Sequence, residues 1–177
     1  AEKLGLWKPI RFEKRGLAVT LILSVIAGIV FSLDPWTFGN LIDGIKESTA
    51  AGMTPNGIIA SILYGGIIEE ILMRLFVMSL IAFLITKIFY KNCEEIPAKV
   101  FVIANVAAAL LFAAAHLPAT IVTFGELSPM LLFRCFLLNG GFGILFGWLY
   151  RKRGLHYAML SHATVHVVSK IIWFIFI

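Results

Sequence analysis

The chain has 177 residues, of which 60% are hydrophobic and only 14% charged, with a mean hydropathy of +0.94. A soluble domain carries roughly a quarter charged residues, so an ordinary water-soluble fold is excluded. At about 20 residues per spanning helix the length holds about five or six spans, and residues 1–177 are expected to form a single integral membrane domain. The formal charge of +5 is better read, in so apolar a chain, as marking cytoplasmic loops; nucleic acid is set aside as a partner and the lipid bilayer takes its place.

The chain begins at Ala1 rather than Met, as a processed or trimmed chain would, and a targeting segment ahead of it is an open expectation. The first apolar run, Gly16 to Leu33, follows Lys8, Arg11, Lys14 and Arg15 and ends at Asp34-Pro35 without an A-x-A site, so it reads as a span rather than a signal peptide. Residues 34–56 carry Asp43, Lys46 and Glu47 among small residues and predict an interfacial loop or short surface helix. Thr54-Pro55 then predicts a helix start, with Thr54 as N-cap and Pro55 at the first helical position. The second span runs from Gly57 to about Lys87. A third is predicted over Phe101 to Phe124, kinked at Pro118, since a buried proline is tolerated where neighbours satisfy the freed carbonyl. Met130 to Tyr150 is the fourth and Leu155 to Ile177 the fifth. The fold class predicted is all-α, a polytopic transmembrane bundle. Cys93 and Cys135 lie far apart, with no spacing that suggests a disulfide framework or a thiolate metal site.

Five spans put the N-terminus, the loop after span two and the loop after span four on one side. Those segments hold eleven of the fifteen Lys and Arg, while the opposite loops hold only Lys46. The positive-inside rule then predicts a cytoplasmic N-terminus.

A charge at the centre of a span costs about 2.5–3.5 kcal/mol on the insertion scale, which makes Glu69, Glu70 and Arg74 the conspicuous residues of span two. Glu70 and Arg74 stand i, i+4 with the acid first, the favourable order for a pair. Glu69 sits about 100° round the helix and needs another partner. Span three supplies His116, and span five supplies His162 and His166, two imidazoles on one helical face. Intramembrane ionisable groups are functional candidates by default.

Three segments carry a family resemblance: Glu69-Glu70-Ile-Leu-Met-Arg74 matches E-E-x-x-x-R, Phe112-Ala-Ala-Ala-His116 matches F-x-x-x-H, and Ser161-His162-Ala-Thr-Val-His166 follows a glycine-rich helix ending at Gly147-Trp148-Leu149-Tyr150. In that order, each on its own span, they resemble the CAAX protease and bacteriocin-processing family of intramembrane endopeptidases, the group that includes the Ras-converting CAAX proteases. The resemblance covers about residues 58–168, the core that carries the motifs. It implies a multi-pass protein, expected in a prokaryotic cell membrane, that hydrolyses a peptide bond in a peptide or lipidated-peptide substrate. That substrate is a prenylated C-a-a-X tail or a bacteriocin or signalling-peptide precursor. By the same resemblance Glu69 is the general base on a water, His116 helps hold that water, and the His162 helix stabilises the oxyanion; Glu70 is expected in the catalytic set beside a supporting role, and Arg74 as a supporting residue. The family's last motif ends in Asn or Asp where this chain has His166. His166 replaces the amide as a donor, or else Glu69, His116, His162 and His166 form a zinc set; the metal-free reading, with no cofactor, is preferred.

The alternative from another class is a non-proteolytic membrane protein, a proton relay or an immunity scaffold, built on the same Glu and His residues. Gly140, Gly141, Gly143 and Gly147 predict close helix packing. Arg134 and Asn139 are expected to bond across the bundle or touch substrate, His156 to lie at headgroup level, and Lys170 to snorkel outward.

Overall fold

The computed structural model describes every residue except Glu94. Among the described residues all regular structure is helical. We number the helices α1 (Lys14–Thr37), α2 (Ile45–Ala51), α3 (Pro55–Phe89), α4 (Ala98–Phe124), α5 (Pro129–Arg153) and α6 (Leu155–Phe176). All but α2 are long and apolar enough to cross a membrane. The chain is therefore an all-α polytopic membrane protein.

Local chemistry sets the boundaries. Thr54 Oγ1 accepts from the Gly57 N–H at 3.2 Å with Pro55 in the first turn of α3, as the sequence predicts. Ser128 and Pro129 repeat the device at the start of α5, where Ser128 Oγ accepts from the Leu131 N–H at 3.3 Å. Gly125 (φ +79°) ends α4 and Gly154 (φ +107°) turns α5 into α6; both conformations favour a residue without Cβ.

Three details depart from the sequence reading. Helix α4 starts at Ala98 rather than Phe101, because Pro97 already serves as its extended N-cap. The helix breaks at His116, two residues ahead of Pro118: the regular part stops at Ala115 and a second segment resumes at Leu117. Pro118 has no N–H to return to the preceding turn, and the His116 N–H bonds instead to the Ala113 carbonyl at 3.1 Å. In α3 the hydrogen bonds run i→i+5 over Ser61–Glu69 and again over Ile71–Met78, where a regular α-helix is predicted. Such widened turns cluster at functional sites, and here they flank both glutamates.

Small residues let the helices approach. α1 packs on α6 through the Ser24–Ser161 hydroxyl hydrogen bond at 2.7 Å and through Gly28, where a Cβ would stand 2.7 Å from Val168 Cβ. Trp173 Nε1 closes the far end by donating to the Ser32 carbonyl at 2.8 Å. α4 and α5 meet at Gly143, against Ala109, and at Gly147, against the Asn105 side chain. The glycines of α5 thus do pack helices. Apolar side chains such as Ile22, Leu110, Phe133 and Phe174 remain exposed, facing where lipid would lie.

On the side opposite the basic loops, α2 is folded against the bundle. Phe38, Ile42, Ile45 and Leu131 form a small buried cluster. Asp34, read from sequence as the start of an interfacial loop, is buried, and both of its carboxylate oxygens accept from Arg134, with Arg134 Nε at 2.7 Å. Lys170 does not snorkel: it is buried and its Nζ donates to the Gly52 carbonyl at 3.0 Å. The freed carbonyl at the end of α2 is the nearer partner.

Candidate active site

The two glutamates of α3 face different neighbours. Glu70 is wholly buried, accepts from Arg74 Nε at 3.1 Å through Oε2, and meets His162 Nδ1 at 2.9 Å through Oε1. Arg74 is equally buried, with its guanidinium 5.3 Å from the Phe112 ring centre and 6.0 Å from that of Phe146. This aromatic sandwich helps to accommodate a cation whose two terminal nitrogens make no hydrogen bond among the described residues.

Glu69 points the other way, into a cavity of about 310 Å³. Its Oε1 lies 3.7 Å from His116 Nε2 and its Oε2 lies 3.9 Å from His162 Nε2. The five spans all contribute to the cavity wall: Phe31 from α1, Tyr64 and Glu69 from α3, His116 from α4, Asn139 from α5, and His162 from α6. His166 also lines it, stacked on His162 with ring centres 5.0 Å apart.

Ring-nitrogen partners decide what each histidine offers. A carbonyl only accepts, so the contact of 2.8 Å between His116 Nδ1 and the Phe112 carbonyl requires an Nδ1–H, leaving Nε2 of the neutral ring as an acceptor. The Glu70 carboxylate imposes the same tautomer on His162, whose position is further fixed by stacking on Phe146 at 4.4 Å. No ring hydrogen bond holds His166 among the described residues, so either nitrogen is free to donate. Gly65 makes room for both α6 imidazoles: a Cβ there would lie 2.9 Å from His166 Nε2 and 3.3 Å from His162 Nε2.

The structure thus brings together Glu69, His116, His162 and His166, the residues singled out in the sequence, and puts Glu70 and Arg74 behind them. Glu70, expected in the catalytic set as well as in a supporting role, does not line the cavity. Its wholly buried carboxylate is taken up by Arg74 and His162. Arg134 bonds across the bundle to Asp34, whereas Asn139 reaches the cavity wall. Cys135 is buried, its thiol donates to the Ala113 carbonyl, and among the described residues it makes no hydrogen bond to an imidazole. Sequence reasoning missed Tyr64 and Gly65; their only signal is position, one turn before Glu69. Among the described residues no group of three or more His, Cys, Asp or Glu could hold a metal ion. The Nδ1 atoms of His116 and His162 are engaged by protein acceptors, which leaves the Nε2 atom of each ring turned toward Glu69.

A family model described as Type II CAAX prenyl endopeptidase Rce1-like matches residues 52–168. The chain belongs to this family. It is therefore an intramembrane CAAX-type endopeptidase, a membrane-embedded hydrolase that acts on a peptide substrate. The matched segment contains all six polar residues of the site, from Glu69 to His166, and leaves α1 outside. No curated protein and no solved structure matches the chain.

Proposed function

We propose that the CAAX-type endopeptidase cleaves its substrate with Glu69 as general base on a water held between Glu69, His116 and His162, residues 58–168 supplying the catalytic core. The observation that carries this reading is the meeting of three acceptors. The Glu69 carboxylate, His116 Nε2 and His162 Nε2 converge at 3.7 and 3.9 Å, too far for direct hydrogen bonds. Acceptors so placed need a donor among them, and a water has two. With one O–H directed at Glu69 and the other at an imidazole, the water turns its lone pair to the space where a peptide carbonyl would lie.

In the proposed step the water oxygen forms a bond to the carbonyl carbon and its proton passes to Glu69. Charge then develops on the carbonyl oxygen, where His166 donates a hydrogen bond. His162, its Nδ1 held from behind by Glu70, keeps its Nε2 turned toward the water. Collapse breaks the C–N bond, and the proton held by Glu69 leaves with the amine. Donors aimed at developing charge in a water-poor site are worth more than in bulk water. No step needs a metal.

The substrate we infer is a prenylated C-a-a-X tail or a bacteriocin or signalling-peptide precursor, cut toward the cytoplasmic half of a prokaryotic cell membrane. The test is cleavage of a peptide library, with and without prenylation, by the purified protein and by Glu69→Gln. A general base contributes about 10²–10⁴-fold, so the variant is expected to lose activity by that factor while keeping its melting temperature. Cleavage by Glu69→Gln at the parent's rate refutes the assignment. Loss of parent activity on adding chelator, restored by zinc, refutes the metal-free form.

A further inference from the structure

A second concave site lies on the basic side of the bundle, remote from Glu69. It is a pocket of about 300 Å³ into which Lys8, Arg11, Lys152 and Arg153 all project, with Glu13 the one acid on its wall. No carboxylate lies within 4.0 Å of any of the four cations among the described residues, Glu13 included. Like charges gathered in a cleft repel one another and focus a positive potential. The peptide chemistry at Glu69 makes no use of them.

The pocket is built rather than incidental. The segment before α1 is tied to the start of α6: Lys8 Nζ donates to the Lys152 carbonyl at 2.9 Å, and the Glu13 N–H donates to Tyr157 Oη at 2.8 Å. His156 Nε2 lies 3.1 Å from the Arg11 carbonyl. Arg153 is held over the Tyr157 ring at 5.9 Å, and Gly16 makes room for it, since a Cβ there would stand 2.7 Å from both Arg153 Nη1 and Tyr157 Oη. The Arg153 Nε is buried and has no partner. The pocket also adjoins the first turn of α6, which has no side-chain cap.

We propose that this pocket binds the phosphate of an anionic phospholipid headgroup. Two guanidinium forks and two ammonium groups suit phosphate oxygens, and a basic pocket between the cytoplasmic ends of membrane helices is where such headgroups bind. The lipid is favoured over a soluble phosphate because the pocket sits at the ends of α1, α5 and α6. The apolar flanks of α1 and α5, exposed at Ile22, Val25 and Trp148, give the acyl chains a surface to follow. A bound headgroup joins the segment before α1 to the helix that carries His162 and His166.

The test uses the full chain in uncharged detergent, following melting temperature while phosphatidylglycerol, phosphatidylcholine or inorganic phosphate is titrated. Native mass spectrometry counts the lipids retained. The pocket variant is Lys8→Gln/Arg11→Gln/Lys152→Gln, whose side chains are exposed or half-buried; the control, Lys3→Gln/Lys87→Gln/Lys91→Gln, removes the same charge from the same side. Phosphatidylglycerol is expected to stabilise the parent and the control alike. At about 1 kcal/mol per basic residue, the pocket variant needs about a hundredfold more of it. An equal response of pocket and control variants, or equal stabilisation by phosphatidylcholine, overturns the proposal. Inorganic phosphate matching the lipid at equal concentration overturns the headgroup as its source. Should the pocket variant not fold, equal retention of the two lipids by the parent in the mass spectrum overturns it as well.

Discussion

Glu69 and Glu70 are sequence neighbours with opposite surroundings, and the difference follows from which side chains their helix turns toward. Glu70 meets Arg74 and His162 in a space closed to solvent, where removing one partner leaves an uncompensated charge. Breaking such a pair costs about 3–5 kcal/mol. Glu70→Gln is therefore expected to lower stability by about that amount in reversible unfolding in detergent. It should also release the tautomer of His162: nitrogen NMR of labelled histidine is expected to report an Nδ1–H in the parent and a mixture in the variant. An unchanged histidine spectrum would show that Glu70 does not position His162. Lys170 shows the same preference for a local partner over solvent, as its ammonium satisfies the end of α2 instead of reaching headgroups.

At the scale of helices, the sequence displayed the spans well and their irregularities poorly. Long apolar runs and the Thr54-Pro55 and Gly154 punctuation located all five spans within a few residues, because hydropathy and capping are local properties. The π-turns around Glu69 and Glu70 are not local. They accompany the close seating of Gly65 and Gly66 on α6, where a Cβ would stand 2.9 Å from His166 Nε2 or Ala163 Cβ. The convergence of Glu69, His116, His162 and His166 was legible because charges in a membrane must face one another. Asp34–Arg134 was not, since Asp34 stood at a span end where water is an equally good partner. The α4–α5 contact gives a direct test of packing. Gly147→Ala drives a methyl into Asn105 and is expected to cost about 1–3 kcal/mol. Adding Asn105→Ala should restore part of that loss, a coupling that a double-mutant cycle measures.

Across the whole molecule the charge distribution predicts an orientation. The loops beside Lys87, Lys91, Arg151, Lys152 and Arg153 belong on the cytoplasmic side. Cys93 is exposed in one of them and Cys135 is buried, so a membrane-impermeant maleimide should modify Cys93 in inside-out vesicles and leave it unmodified in intact cells. The reverse pattern would invert the assignment and put the basic pocket outside.

The cavity around Glu69 takes a wall residue from each of the five spans. A protease assembled in this way does not exist in part. While the chain is being inserted, Glu69 enters the bilayer before His116, and His162 and His166 arrive only with α6. On the proposed mechanism the acidic residue spends its early life without the imidazoles that would orient a water, and hydrolysis waits for the last helix to be seated.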